Sequence, residues 1–243
     1  MLNVYKLCSL SLSHSVPTRL RTRLSTLIAS FTFVAIGTIV AAPVHAGTHV
    51  VGVSTAEKSI LVLGDSLSAG YGIQPTQGWV FLLSKALASQ GYDYEVTNAS
   101  VSGETTGGGS NRVAHLLALH HPQIVIIELG ANDGLRGLPL SEIESNLLLI
   151  VARCQEQKSQ PLLIGMRLPQ NYGPEYTTRF AEIFPKVARA SHVPLVAFLL
   201  EKVASDMSTF QADGLHPIAS VQSKLLDTVW PSLVPLLRKA SNK

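Results

Sequence analysis

A serine sits where an apolar run stops. Residues 60–63 (Ile-Leu-Val-Leu) read as a buried strand and lead straight into Gly64-Asp65-Ser66-Leu67-Ser68, a tight turn with a hydroxyl at its tip. In an open α/β sheet the carboxyl ends of the strands line the ligand crevice, so Ser66 stands where a substrate would arrive. Taken alone, the stretch reads equally well as a solvated turn whose Asp and Ser cap the next segment. Three other stretches favour acyl transfer, which needs a base for the serine and donors for an oxyanion. Asp213-Gly214-Leu215-His216 supplies a carboxylate and an imidazole three residues apart, a spacing that one helical turn would place on one side. Gly130-Ala131-Asn132-Asp133 follows the apolar residues 124–129 and puts an amide side chain at another strand end. Gly103, closing Asn98-Ala99-Ser100-Val101-Ser102-Gly103 after a third strand, offers a backbone N–H.

The elements that must hold these residues alternate along the chain. Strands are expected at residues 60–63, 94–98, 124–129, 161–166 and 194–198. Between them, helical patterns run over residues 79–90 (closed by Gly91), 105–119 and 141–157, the last opened by Ser141 and Glu144 in the form of a capping box. A further helix starts at Gly173-Pro174 and should kink at Pro185; a last one, near residues 218–238, should break or bend at Pro231 and Pro235. Strand and helix recur at intervals of about 30 to 40 residues, the spacing of right-handed βαβ crossovers. The fold class is therefore α/β, a three-layer sandwich with a five-stranded, mainly parallel sheet between two helix layers. Such a sheet brings Ser66, Gly103 and Asn132 to one edge.

The four blocks, in this order, resemble the SGNH (GDSL) hydrolase family. The resemblance rests on Gly64-Asp65-Ser66-Leu67, Gly103, Gly130-Ala131-Asn132-Asp133 and Asp213-Gly214-Leu215-His216, and is closest to the family's periplasmic thioesterase I group. It covers nearly all of the chain after residue 46 and implies a flavodoxin-like fold. Ile218 after His216-Pro217, and Gly107-Gly108-Gly109 in the second block, depart from the pattern beside the site rather than on it.

On this reading Ser66 is the nucleophile, His216 its base and Asp213 the group that orients the imidazole. The N–H groups of Ser66 and Gly103 and the Asn132 amide would surround the oxyanion. No cofactor and no metal is called for. Ser68 stands where a Gly-x-Ser-x-Gly elbow would have its second glycine, which argues for the flatter GDSL turn. The family's resembling loops contact the acyl chain, so Leu135, Leu138 and Leu168, apolar residues in loops after strand ends, are expected to line an acyl groove. The function expected is a secreted serine hydrolase of acyl esters, acyl thioesters or lysophospholipids, of acyl-CoA thioesterase, lysophospholipase or arylesterase type. A carbohydrate O-acetyl esterase is the alternative within enzymes, and a noncatalytic binding domain the alternative outside them.

Composition bounds the rest. The chain has 243 residues, 46% of them hydrophobic, enough for one domain with a full core. Its formal charge of +3 comes from Lys6, Arg19, Arg21 and Arg23; without them 15 basic residues face 16 acidic ones. No basic excess remains with which to hold nucleic acid, no stable protein partner is evident, and a monomer is expected. Residues 1–46 read as a signal peptide: a basic start, an apolar stretch over 24–42, and Val44-His45-Ala46 at the cleavage position. A retained anchor is the other reading of that stretch, since it is near the ~20 residues needed to span. Residues 47–243 would be a single exported domain in the periplasm or medium. Cys154, in a helical pattern without an accompanying His block, reads as a core residue.

Overall fold

A computed structural model describes residues 58–241. The expected signal peptide, its cleavage position and Cys8 lie outside the described residues. The described residues belong to one compact unit.

Five strands form one parallel sheet: β1 (Lys58–Gly64), β2 (Tyr94–Asn98), β3 (Ile124–Glu128), β4 (Gln160–Ile164) and β5 (Leu195–Val196). Their order is β2-β1-β3-β4-β5, with Ile60 opposite Val96 on one side and Ile124 on the other. Strands buried on both faces need apolar side chains throughout rather than alternation, which is why 60–63 and 124–127 read as continuous Ile, Leu and Val runs. The order reverses between β1 and β3, so the crevice opens at their carboxyl ends, directly over Ser66 and Asn132.

Among the described residues there are seven α-helices: α1 (Ser66–Ala69), α2 (Trp79–Ser89), α3 (Thr106–His120), α4 (Ala131–Leu135), α5 (Leu140–Glu156), α6 (Pro174–Ser191) and α7 (Gln222–Ser241). α5 packs between α3 and α6, while α2 packs against α7, which gives the two outer layers. The core between them includes Trp79, Leu83, Phe180, Phe184, Val229 and Leu233. Cys154 is buried within it, and burial pushes its thiol up to about 12, so it is a packing residue and no nucleophile.

One expectation about the helices needs correction, and the prolines inside two others have a physical account. α5 starts at Leu140 behind Pro139, and Ser141 makes no cap; the φ of −57° that the proline ring fixes already suits a helix entrance. α6 continues past Pro185 and α7 runs unbroken through Pro231 and Pro235. The buried faces of α6 (Phe180, Ile183, Phe184, Val187) and α7 (Val229, Leu233, Leu237) outweigh the ~3 kcal/mol that an internal proline costs. Gly107-Gly108-Gly109 lies in the first turns of α3, within the expected helix, and a side chain at Gly109 would run into Leu129. Glycine there lets α3 lie close on the end of β3.

Candidate active site

The site is assembled from the loops that follow β1, β2, β3 and β5. β1 ends at Gly64, where a Cβ would collide with Ser68 and Glu128, so only glycine lets the chain turn this sharply. Asp65 then caps α1, its Oδ1 accepting the Leu67 N–H at 3.0 Å. Ser66 is therefore the first residue of a helix rather than the tip of a free turn. Its N–H has no intrahelical acceptor and stays available.

The loop after β2 is tied to this point by the Val101 N–H, which donates to the Gly64 carbonyl at 3.0 Å. Asn98 is fully engaged there: its Nδ2 donates to the Ser68 carbonyl at 2.8 Å and its Oδ1 accepts the Ser100 N–H at 3.1 Å. Gly103 has φ +81°, a conformation that favours glycine, and its carbonyl accepts from Arg136 Nη2 at 2.9 Å. No acceptor among the described residues engages the Gly103 N–H.

Asn132 lies in the short helix α4, which follows β3 through Gly130 at φ +116°. Its Nδ2 donates to Asp65 Oδ2 at 3.1 Å. That bond orients the amide, because a carboxylate repels the amide oxygen, and it leaves one Nδ2 proton to donate elsewhere. Asp133 points away from the site: it accepts the Thr106 N–H and the Thr106 hydroxyl (2.6 Å), anchoring the start of α3.

Asp213 and His216 come together through a turn, not through a helix. Asp213 Oδ1 accepts the N–H groups of Leu215 (2.9 Å) and His216 (3.0 Å), folding the segment back on itself. Asp213 Oδ2 then lies 2.7 Å from His216 Nδ1, and His216 Nε2 lies 2.8 Å from Ser66 Oγ. Burial pushes the Asp213 carboxyl up, but the Leu215 N–H and the N–H and imidazole of His216 outweigh it and pull it down to about 2. An ionised Asp213 only accepts, so Nδ1 carries the proton and Nε2 is left to accept the serine O–H. Such a geometry can activate a hydroxyl through an oriented base.

Beneath Ser66 lie two buried carboxyls. Glu128 is fully buried; its Oε2 accepts from Ser68 Oγ (2.6 Å) and the Asp65 N–H (3.4 Å), while Oε1 has no protein partner. Burial, and then the nearby Asp65 charge, hold its carboxyl well above the usual range. Burial pushes Asp65 up as well, to about 6, against the lowering effect of the Leu67 N–H, the His216 charge and the Asn132 amide. Both acids bind a proton more tightly folded than unfolded. Their contribution therefore favours the fold at mildly acid pH and is lost as pH rises from about 4 through about 6 and beyond. Asp213 has the opposite sign, but its window lies below about pH 4. Glu128→Gln, which cannot ionise, should flatten the decline of the urea midpoint between about pH 5 and 8. An equally steep decline in that variant would show that Glu128 is not its source.

A cavity of about 620 Å³ opens on Ser66, Asn132 and His216 and is otherwise walled largely by apolar side chains, among them Leu135, Met166, Leu168, Phe198, Met207 and Leu215. Two of the three expected leucines are in its wall. Leu138 is not: it lies outside the lining, and its carbonyl accepts from the Tyr176 hydroxyl at 3.2 Å. Leu168 is buried and packs over Gly134, where a Cβ would also meet Phe180, so it forms the floor and not an exposed rim. Sequence reasoning missed the wall after β5, residues 198–210, where Leu199, Leu200 and Val203 had marked an apolar but aperiodic stretch. Among the described residues no cluster of His, Cys, Asp and Glu could hold a metal ion.

Residues 62–222 match the GDSL-like lipase/acylhydrolase family. The chain belongs to this family. It is 46% identical over 182 residues to the esterase TesA of Pseudomonas aeruginosa, covering 75% of this chain and 90% of that one. It is 39% identical over 188 residues to thioesterase 1/protease 1/lysophospholipase L1 of Escherichia coli K12, covering 77% and 89%. The crystal structure of TesA superposes with a TM-score of 0.72 over 74% of this chain and 99% of that one. The fold and the esterase class expected from the sequence are thus borne out.

Proposed function

We propose that this GDSL-family esterase is a secreted serine hydrolase of acyl esters and thioesters, with medium-chain acyl groups seated in the cavity. The reading rests on one observation above all: the unbroken chain from Asp213 through His216 to Ser66, at 2.7 and 2.8 Å. Ser66 Oγ attacks the acyl carbon as its proton passes to His216 Nε2, and Asp213 steadies the imidazolium without taking the proton. The N–H groups of Ser66 and Gly103 and the free Nδ2 proton of Asn132 receive the negative charge on the acyl oxygen. The bond to the leaving oxygen or sulfur breaks as Nε2 returns the proton to it. Water then repeats the sequence on the acyl-enzyme.

Acyl length separates this function from an O-acetyl esterase. Each methylene that enters the cavity should contribute roughly 0.8 kcal/mol, so kcat/KM for p-nitrophenyl esters should climb about fourfold per CH₂ from acetyl until the wall is filled. Met207, 65% exposed on the rim, is a better probe than the buried Leu168. Met207→Asp should depress kcat/KM for octanoyl esters far more than for acetyl esters. A native preference for acetyl would bring the O-acetyl esterase forward, and no turnover of any ester would bring forward a binding domain.

Export rests on residues 1–46 acting as a signal peptide. Protein recovered from the periplasm or medium should begin at Gly47. Recovery of Met1 on membrane-bound protein would refute cleavage.

A further inference from the structure

An ester carbon carries three substituents, and the proposed function places only two. The acyl chain takes the cavity and the carbonyl oxygen takes the donors of Ser66, Gly103 and Asn132. The third, the leaving group, must lie against His216 Nε2, which protonates it. Tyr71 occupies that neighbourhood. Its ring centroid lies 4.6 Å from that of His216, with the planes tilted by 42°. The residue is 53% exposed and takes no part in the cavity wall, although Gly214, Leu215 and His216 do. The imidazole thus has the acyl cavity on one flank and an accessible aromatic ring on another.

The ring is held there from both sides of the site. The Tyr71 N–H donates to the Ser66 carbonyl at 3.0 Å, which ties it to the helix of the nucleophile. Its carbonyl accepts from Gln211 Nε2 at 2.8 Å, and the Gln211 N–H donates to the His216 carbonyl at 2.8 Å. Gln211 therefore links Tyr71 to the segment carrying the base. Gly70 and Gly72, both at φ +75°, let the chain bend on either side of it, and a side chain at Gly72 would collide with Gln211. A side chain that is exposed and, among the described residues, has no partner other than the His216 imidazole, on a backbone fastened to both nucleophile and base, is placed to meet substrate.

We infer that Tyr71 is a specificity-determining residue for the leaving group, and that it selects esters whose alcohol carries a flat aromatic ring. The inference rests on the proposed hydrolase function. An aromatic group attached near the leaving oxygen can pack on the Tyr71 ring while that oxygen stays within reach of Nε2. Aromatic pairs gain beyond their buried area, and a puckered saturated ring of the same size does not.

The test compares benzyl octanoate with cyclohexylmethyl octanoate, which share the acyl chain and have alcohols of similar acidity. The wild-type protein should favour the benzyl ester in kcat/KM, and Tyr71→Leu should lower that preference about three- to tenfold. Tyr71→Phe should retain it. If Tyr71→Leu slows both esters equally, the ring only supports His216 and the inference is overturned; an unchanged ratio overturns it too. Should wild-type protein cleave neither ester nor any p-nitrophenyl ester, the hydrolase function itself fails and this inference with it. That outcome is recognised before any Tyr71 variant is made.

Discussion

Ser66→Ala should abolish ester hydrolysis and leave the protein folded. Among the described residues the Ser66 hydroxyl has one partner, His216 Nε2, so on the proposed mechanism its removal takes away the nucleophile and costs the core almost nothing. The backbone that places it is fixed independently, by the Asp65 cap on Leu67 and by the glycine at position 64. Loss of the serine from a hydrolytic triad costs on the order of a millionfold in kcat, because without it the base and the oxyanion donors have no reaction to serve. The stability change should stay within about 1 kcal/mol, since the hydroxyl faces the cavity and bonds to His216 and not to the packed core. A fluorophosphonate probe should label the wild-type protein at Ser66 and leave the variant unlabelled, with melting temperatures a few degrees apart at most. Labelling at another residue, or retained turnover, would remove Ser66 from the mechanism.

How far the sequence carries depends on what burial imposes locally. β1 and β3 are legible because a parallel strand covered on both faces must be apolar at every position, and the glycine blocks that end them are demanded by close packing, as at Gly64. β5 is shorter than its apolar pattern suggests, two residues in place of five: as an edge strand it pairs only with β4, and the chain leaves the sheet after Val196 to build the cavity wall. α4 is hidden in Ala-Asn-Asp-Gly-Leu, whose three central residues are poor helix formers; what sustains it is contact, with Asp133 held on Thr106 and Gly134 under Leu168. Asp213 and His216 meet through a turn closed by the Asp213 side chain and not on a helix, because a spacing of three serves such a turn as well as a helix. Tyr71 and Met207 carry no signal in sequence at all. They are single exposed residues in loops, and only their distance from His216 and the cavity gives them meaning.

Asn132→Ala should lower kcat about 100- to 1,000-fold while changing KM much less. The reason lies in when the amide is used. One Nδ2 proton is spent on Asp65, and on the proposed mechanism the other would meet charge that exists only as the tetrahedral intermediate forms. A donor used mainly in the transition state affects turnover rather than substrate affinity, and losing one of three such donors costs about two to three orders of magnitude. The variant also leaves Asp65 with one hydrogen bond fewer in a buried setting, where an unmet acceptor costs about 1 to 3 kcal/mol, so it should melt earlier than Ser66→Ala. That difference makes the two effects separable: circular dichroism and melting report the loss at Asp65, and the ratio of kcat to KM effects reports the loss at the oxyanion. Full turnover in Asn132→Ala would leave the Ser66 and Gly103 N–H groups as the whole of the oxyanion hole. A large rise in KM with kcat preserved would assign Asn132 to substrate binding instead.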